Sequence, residues 1–490
     1  MRWLGLGLGH EGDGGSDGWV FRRALLAYLL LWSGIWLSGY RFLDDRGRSL
    51  WGMLGWEDNG RPLTTLVMRL LTRDGQLLDV TPLPQLLAIG LMALTLVIVR
   101  RQLQAPARWS WLACALPLFA TPLFIENMAF RFDAFSMSLA MLGAMLAAGA
   151  LWSPRAYLGI GIAAGWLLAV FMLYQPAVNI FLAMCCLQGA LAARQSGPAR
   201  LWHDLWRALS ALVLGLLLYY PVMQHFLPEA GYSAHHAERF ELAALPGGAW
   251  QNLLLAWQKA LGWLHPGALV ALGLLLGMVL VGALGGATWR RRWPVLLCLV
   301  LSPIALFGLM LALVNPIWQP RAFVGLGGVV ACWALLAWHL RPGELWRRLA
   351  GTVAGAYCAT VLLQAWLFGS LAGELQRHEE WLLRDIADRV NTQYLQNGRD
   401  RLVVEGNWVW PPVAERIRPL DPLMRTLLPR GLQEGDYWNE PALDLRGLFE
   451  EVVVTTPQAS PPGAVEALLH QSRYYRLWWD GEQLVLSLQG

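Results

Sequence analysis

Lysine is nearly absent from this sequence: Lys259 is the only one among 38 basic residues. Charged residues of both signs are also scarce, at 15% of 490 residues, whereas hydrophobic residues reach 56%. With a positive mean hydropathy, this composition excludes an ordinary soluble domain, whose core needs far less apolar material. The net charge of +4 does not indicate nucleic-acid binding, because the arginines fall where membrane topology requires cations.

Cysteine is also infrequent, and its distribution excludes two kinds of structure. All six cysteines fall inside apolar segments: Cys114, Cys185, Cys186, Cys298, Cys332 and Cys358. Since none lies in a predicted outer loop or in the tail, neither a disulfide framework nor a cysteine metal site is indicated. Residues 1–20 lack the apolar core of a cleavable signal, so we predict a flexible cytoplasmic tail followed by an uncleaved membrane anchor.

Long apolar segments, by contrast, recur along much of the chain. Windows of about 18–22 mainly apolar residues are long enough to cross about 30 Å of hydrocarbon as helices. We place eleven such helices, at residues 21–39, 84–100, 108–124, 134–152, 156–173, 176–192, 206–222, 264–286, 294–313, 322–340 and 349–370. The sequence therefore predicts a polytopic α-helical membrane domain over residues 21–371.

The arginines alternate between loops, and this alternation sets the predicted orientation. With the N-terminus in the cytoplasm, the inner connections carry Arg22, Arg23, Arg100, Arg101, Arg108, Arg155, Arg194, Arg200, Arg207, Arg290, Arg291, Arg292, Arg341, Arg347 and Arg348. Positive charge in short inner loops is typical of membrane proteins. The outer face is then predicted to hold everything after residue 371 and the loops 40–83, 125–133, 174–175, 223–263 and 314–321.

Composition changes after residue 371, and residues 372–490 predict a small α/β domain outside the cytoplasmic membrane. Residues 374–396 have the pattern of an amphipathic helix, and 401–405 and 450–455 have that of short strands. Residues 474–488 predict a β-hairpin, because the Asp-Gly pair within them suits the positive backbone angles of a tight turn.

The positions of the acidic residues separate two kinds of membrane protein. A transporter or lipid flippase is expected to bury charged residues along a membrane-spanning cavity. The predicted spans contain almost no acidic residues, which gather instead in the outer loops. This distribution favours chemistry at the outer membrane–water boundary over a lipid or glycan flippase, which we keep as the alternative.

The first outer loop is the strongest candidate for a site. Asp44 and Asp45 follow the first apolar segment, with Arg48 close behind. A Gly-Arg-Pro motif at residues 60–62 predicts a turn before a helix, since proline fixes its own backbone angle and restricts the residue before it. Residues 62–72 are apolar but too short to span the bilayer, so we predict a helix lying along the interface.

Polar residues in the other outer loops are crowded between apolar segments, where an unpaired charge is costly. They are Glu126, Asn127, Arg131, Asp133, Tyr174, Gln175 and Arg321. Taken singly, Glu126, Arg131 and Asp133 are equally well explained by an interfacial salt-bridge network, and Arg321 by capping a helix or reaching toward the interface. As a set with the aspartates, they can deprotonate a hydroxyl and neutralise a leaving phosphate, as sugar transfer from a lipid phosphate requires.

A cluster of potential metal ligands in the long outer loop consists of His225, His235, His236 and Glu238. Their spacing matches no familiar zinc pattern, and adjacent histidines do not readily share one ion. We therefore predict no metal and no other cofactor. Hydrogen bonds to an acceptor, or an ordinary solvated loop, explain these residues better.

The outer-loop motifs, in their order along residues 40–321, resemble those of a known family. The matching residues are Tyr40, Asp44-Asp45-x-x-Arg48, Trp56-x-x-x-Gly60-Arg61-Pro62, Glu126-Asn127-x-x-x-Arg131-x-Asp133, Tyr174-Gln175-Pro176 and Pro320-Arg321. The family is that of the bacterial O-antigen glucosyl transferases, which act in serotype conversion. Each motif is short, so the resemblance rests on the ordered set.

The resemblance implies a GT-C-type glycosyltransferase in the bacterial inner membrane that acts on the periplasmic side. The implied donor is a hexose on a polyprenyl phosphate, usually undecaprenyl-phosphate glucose. The implied acceptor is a lipid-linked glycan such as O-antigen, and a separate donor synthase and flippase supply the donor. An O-antigen polymerase or ligase is the alternative enzyme, since it also carries outer-face arginines in a large loop.

The resemblance also assigns roles to individual residues. Either Asp44 or Asp45 is the expected base of a single inverting displacement, and spacing alone does not choose between them. The expected ligands of the donor phosphate and sugar are Arg321, Arg131, Arg61, Arg48, Glu126, Asn127, Asp133, Tyr174 and Gln175. Arginine suits this role because its guanidinium fork matches phosphate oxygens.

Overall fold

The computed structural model describes residues 14–228, 231–285, 288–397, 401–428, 432, 439–444, 447–449, 453–455, 467–481 and 483–489. Most of the predicted flexible tail, including a glycine-rich segment at residues 7–12, lies outside these residues. The first helix begins at Gly14, which is seven residues before the predicted span.

Helices account for most of the described chain up to residue 397. The α-helices are α1 (Gly14–Leu37), α2 (Asp44–Trp51), α3 (Pro62–Met68), α4 (Leu83–Gln102), α5 (Trp109–Ala115), α6 (Ile125–Ala129), α7 (Asp133–Ala150), α8 (Ala156–Leu173), α9 (Val178–Ser196), α10 (Pro198–Phe226), α11 (Tyr232–Ala237), α12 (Leu245–Trp263), α13 (Pro266–Leu284), α14 (Trp289–Leu301), α15 (Gly325–Leu340) and α16 (Glu344–Asn397). Short 3-10 helices occupy Glu57–Asn59, Arg69–Leu71, Leu116–Leu118, Pro122–Phe124, Gln175–Ala177, Ser302–Leu306, Gly308–Ala312 and Pro320–Phe323. A small hairpin, β1 (Thr72–Arg73) and β2 (Gln76–Leu77), lies in the first outer loop.

Nine helices in the described residues are long and apolar enough to cross a membrane. A tenth crossing exists if the bent pair Trp109–Leu118 and Pro122–Ala129 counts as one, with 53° between its halves. The bend falls at Thr121, whose extended backbone is what the residue before a proline prefers. The multi-pass membrane character is thus confirmed, and the described residues contain nine or ten candidate crossings where we predicted eleven.

The predicted span at residues 294–313 is not one continuous α-helix. Helix α14 ends at Leu301 and gives way to two 3-10 segments. Pro303 has no amide hydrogen to continue the helical ladder, and Gly308 has a φ of 50°, which lies outside helical geometry. Apolar composition alone did not reveal this break.

The longest helix, α16, contains 54 residues and is therefore about 81 Å long. It includes both the last predicted span and the predicted amphipathic helix 374–396, so the predicted domain boundary after residue 371 lies inside one helix. Close packing on α1 becomes possible at Gly34 and Gly369, where a Cβ added to Gly369 would lie 2.0 Å from the Gly34 carbonyl oxygen.

The part of the chain described after residue 400 is a small α/β unit. It comprises β3 (Arg401–Asn407), α17 (Pro412–Ile417), α18 (Pro422–Leu427), α19 (Asn439–Asp444), β4 (Val453–Thr455), β5 (Ala467–Gln471), β6 (Tyr475–Trp479) and β7 (Leu484–Gln489). The strand order is β4-β3-β7-β6-β5, with β3 parallel to both neighbours. The predicted hairpin is present as β6–β7. Of the predicted strand 450–455, residues 450–452 lie outside the described chain.

This unit packs directly on the membrane helices. The end of α16 buries Leu382 and Ile386 against Leu402 and Leu477 of the sheet. Helix α18 lies against α12, and the indole of Trp263 donates a hydrogen bond of 3.1 Å to the Thr426 hydroxyl. The sheet is therefore fixed to the same end of the membrane domain as the outer loops.

Candidate active site

Four outer-loop segments bring their polar side chains together at this end of the membrane domain. The two aspartates begin α2, directly after Leu43, whose φ of 41° is rare for a residue with a side chain. Strained backbone of this kind is common where a fold fixes a functional group. The neighbours Asp44 and Asp45 point into different surroundings.

Asp45 is completely buried and accepts a hydrogen bond of 2.9 Å from the backbone amide of Arg131. Burial raises the pKa of Asp45, and the nearby Arg131 guanidinium partly opposes the rise. The Arg131 guanidinium is itself fully engaged at its two terminal nitrogens. One donates to Asp79 at 2.8 Å, and the other donates to the carbonyls of Gly39 and Tyr40 at 2.9 and 3.0 Å.

We call Asp45, Arg131 and Asp79 the closed cluster. It ties the segment that follows α1 to the loop that precedes α7. Both terminal nitrogens of the Arg131 guanidinium already have protein acceptors. The closed cluster is therefore a structural clamp, which holds these segments together and does not present free donors to a substrate.

Asp44 differs from Asp45 in both burial and hydrogen bonding. Its side chain is partly exposed and forms no hydrogen bond or ion pair with the residues that the structure describes. Burial raises its pKa, and the positive charges of Arg321, Arg48 and Arg61 oppose that rise, whereas the charge of Asp133 adds to it. Within the described part of the chain, Asp44 is thus a carboxylate that lies among arginines without a bonded partner.

Arg321 is held in place from several sides. Glu126, which is almost fully buried, accepts hydrogen bonds from its backbone amide at 2.8 Å and from its guanidinium at 3.0 Å. The phenol of Tyr174 donates to the Arg321 carbonyl and accepts a bond of 3.0 Å from the Asn127 amide. The guanidinium carbon lies 5.0 Å from the ring centre of Phe130, and a fifth of the Arg321 side chain stays exposed.

Arg61 also contacts Tyr174: the guanidinium carbon of Arg61 lies 5.0 Å from the centre of the Tyr174 ring. It donates to the Gln175 side chain at 3.2 Å and lies 3.5 Å from Asp133. Asp133 also accepts a bond of 2.9 Å from the indole of Trp56. We call Asp44, Arg61, Glu126, Asp133 and Arg321 the open cluster.

Arg48 lies at the edge of this arrangement and folds back on its own loop. Its guanidinium donates to the carbonyls of Met53 and Leu54 and stacks 3.7 Å above the ring centre of Trp56. It therefore holds the loop that carries Trp56, while its charge still acts on Asp44.

One group that supports the site was not recognised in the sequence. Glu379 of α16 accepts two hydrogen bonds of 3.0 and 3.2 Å from Arg46, which also donates to the Tyr40 hydroxyl at 3.1 Å. This buried ion pair fixes α2 to the long helix. In the sequence, Glu379 is one of several charges on an amphipathic helix, and no local signal distinguishes it.

The histidines of the long outer loop do not converge. His236 contacts the Asn315 carbonyl at 2.6 Å, and the Asn315 amide donates to Glu238 at 3.1 Å. Across the described ranges, no three side chains of histidine, cysteine, aspartate or glutamate are grouped to hold a metal ion.

These features define a class of protein: a multi-pass helical membrane protein with carboxylates and arginines clustered at one end. Residues 37–332 match the family described as Glucosyl transferase GtrII, and the chain belongs to that family. The resemblance inferred from the outer-loop motifs is therefore confirmed, and with it the assignment as a glucosyltransferase.

One curated relative comes from Salmonella phage P22 and is described as an uncharacterized 55.3 kDa protein in the gtrB 5' region. It is 26% identical over 417 residues, which cover 81% of this chain and 84% of the phage protein. No solved structure matches the chain significantly.

Proposed function

We propose that this glucosyltransferase moves glucose from undecaprenyl-phosphate glucose to a lipid-linked glycan such as O-antigen. The transfer takes place at the periplasmic face of the bacterial inner membrane, with the N-terminus cytoplasmic and the tail domain periplasmic. A separate synthase and flippase supply the donor. The observation that carries this proposal is the open cluster, in which Asp44 has no bonded partner among the residues that the structure describes and Arg61 and Arg321 lie around it.

In the proposed reaction, the Asp44 carboxylate takes the proton of an acceptor hydroxyl while the hydroxyl oxygen attacks the anomeric carbon. The new bond forms on the face opposite the phosphate, and the bond between that carbon and the phosphate oxygen breaks with its electron pair. The product lipid phosphate carries the released negative charge. The configuration at the anomeric carbon is inverted by this single displacement.

Arg321 and Arg61 support the leaving phosphate in this scheme, since each keeps donors on a partly exposed guanidinium. Glu126 and Asp133 orient these two arginines, and Tyr174, Asn127 and Gln175 hold the backbone and side chains around them. Asp45, Arg131 and Arg48 bond to backbone groups of the loops and so stabilise the loop conformations around the site. The raised pKa of Asp44 makes it a stronger base than an ordinary carboxylate.

The decisive experiment measures glucose transfer by the purified protein from undecaprenyl-phosphate glucose to a lipid-linked glycan. Wild type is compared with Asp44→Asn and with Asp74→Asn, which makes the same charge change at an almost fully exposed residue of the same loop. We expect transfer with inverted anomeric configuration, its loss in Asp44→Asn and its retention in Asp74→Asn.

Two results oppose the proposal. Movement of the lipid across a bilayer without consumption of the sugar indicates the flippase alternative. Transfer of a whole glycan in place of a single glucose indicates the polymerase or ligase alternative.

A further inference from the structure

A cavity of about 400 Å³ adjoins the open cluster through Arg61. It lies between the outer half of α10, the beginning of α9, the short helix α11 and the 3-10 segment Gly308–Ala312. Its wall is mainly apolar and includes Leu216, Met223, Leu309, Met310, Leu313 and Ile317. An apolar cavity of this size suits a hydrocarbon group and offers little to a free sugar.

Polar residues of the cavity lie beside the site at its outer end. Gln175 accepts a bond from Arg61 and donates one of 2.9 Å to the Asn59 carbonyl. Ser233 of α11 donates to the Asn59 side chain at 2.7 Å. Leu216, in contrast, lies ten residues before the end of α10, or about 15 Å toward the inner side. The cavity is therefore polar beside the site and apolar at membrane depth.

One side chain in the wall lacks a partner. Asn179 is fully buried, and neither its amide nitrogen nor its amide oxygen is hydrogen-bonded within the described chain. It lies four residues after Gln175, which is about one helical turn from the polar end. Because these two atoms have almost no accessible surface, the Asn179 amide does not itself contact a molecule in the cavity.

We propose that this cavity binds the phosphate-proximal isoprene units of the donor lipid, with the phosphate at the polar end beside Arg61. This assignment rests on the polyprenyl-phosphate donor of the proposed function. The order of groups fits such a donor: the hydrocarbon lies in the cavity, the phosphate lies at Arg61, and the sugar reaches Asp44 beyond it. With a volume of about 400 Å³, the cavity holds only the part of a lipid nearest its phosphate.

The first test measures binding of undecaprenyl phosphate, without sugar, to the full-length protein in detergent. Leu216→Trp and Met310→Trp fill the cavity from two different segments, and Leu217→Trp is the matched control on the exposed face of α10. We expect each cavity variant to weaken binding at least about tenfold and the control to bind within about twofold of wild type, because displaced hydrocarbon loses its apolar contacts.

A second readout keeps the cavity open and so does not depend on how well the tryptophan variants fold. In Met310→Cys, bound undecaprenyl phosphate should slow alkylation of the new thiol, as measured by peptide mass spectrometry. Dioleoyl phosphatidic acid, which has the same phosphate chemistry on two acyl chains, should not slow it. Equal protection by both lipids, or by neither, overturns the assignment.

The outcomes also separate this inference from the proposed function. Binding that depends on the cavity, without any glucose transfer, retains the lipid site and refutes the proposed reaction. Normal transfer with an unchanged KM for the donor in Leu216→Trp and Met310→Trp retains the reaction and refutes the lipid site.

Discussion

The closed and open clusters use the same residue types within one small region, yet their surroundings differ sharply. In the closed cluster, Arg131 bonds to Asp79 and to two carbonyls, and its backbone amide bonds to Asp45. In the open cluster, Asp44 has no bonded partner among the described residues, and Arg321 keeps a fifth of its side chain exposed. Adjacent aspartates thus belong to different clusters.

This difference shows which groups are available to a substrate. Arg131, whose two terminal nitrogens are both bonded to protein acceptors, stabilises one backbone arrangement and has little capacity to bind anything else. A partly exposed carboxylate beside restrained arginines can exchange a proton and approach a hydroxyl. We therefore expect substitutions in the closed cluster to change stability and substitutions in the open cluster to change turnover.

The largest effect is expected for the two aspartates compared directly. Asp44→Asn removes the proposed base and should lower kcat by about 10² to 10⁴-fold without lowering the unfolding temperature. Asp45→Asn keeps an oxygen that can accept the Arg131 amide, so its kcat should stay within about tenfold of wild type. Steady-state transfer rates and thermal unfolding of both variants test the contrast, and the reverse ranking of kcat would exchange their roles.

The next comparison concerns the two arginines. Arg131→Ala removes the buried guanidinium that bonds to Asp79 and to the carbonyls of Gly39 and Tyr40, and it should destabilise the protein by about 3 kcal/mol. Arg321→Ala leaves the buried Glu126 carboxylate without its guanidinium partner, so it should also lower stability, and it should in addition weaken donor binding. Thermal unfolding and direct donor binding measure the two effects. Unchanged stability of Arg131→Ala would contradict the clamp, and unchanged donor affinity of Arg321→Ala would contradict its contact with the phosphate.

A smaller effect is expected in the pH dependence. Asp44 acts as a base only when it is deprotonated, so kcat/KM should fall as pH drops through its pKa. Because burial raises that pKa, the fall should begin at a higher pH than for an ordinary carboxylate. Arg61→Gln removes an opposing positive charge and should move the fall to still higher pH. A shift to lower pH in this variant would show that another group titrates.

No effect is expected from removing divalent metal ions. His236 and Glu238 both contact Asn315, and no metal-binding group of three occurs in the chain that the structure describes. Transfer measured after treatment with a chelator should therefore match the untreated rate. Loss of transfer that added Mg²⁺ or Mn²⁺ restores would require a metal in the reaction.

The fold was predictable where the sequence pattern is long and regular. Most apolar runs became single helices because about twenty apolar residues have few other stable conformations in a bilayer. The break after Leu301 was missed because Pro303 and Gly308 interrupt a run whose hydrophobicity does not change. The sequence pattern predicted two helices in place of α16, because the composition changes near residue 371 although the helical backbone continues.

The candidate site was predictable in its membership but not in its pairing. Motif order brought Asp44, Arg61, Glu126 and Arg321 into one hypothesis, and the structure places them in one cluster. The separation of Asp44 from Asp45 depends on which backbone amide each one meets, and that contact spans 86 residues for Asp45. The Glu379 partner of Arg46 lies 333 residues away, beyond the reach of any local pattern.

Because α16 is continuous, one helix joins the membrane domain to the tail domain and fixes their relative position. Residues 371–397 extend this helix by about 40 Å with no hinge, so the sheet stands at a set height above the last apolar turns. Glu379 of the same helix forms an ion pair with Arg46 of α2, and this contact fixes α2 and hence the position of Asp44. A chain cut at residue 371 would lose this brace along with the sheet, so the two parts are mechanically one unit.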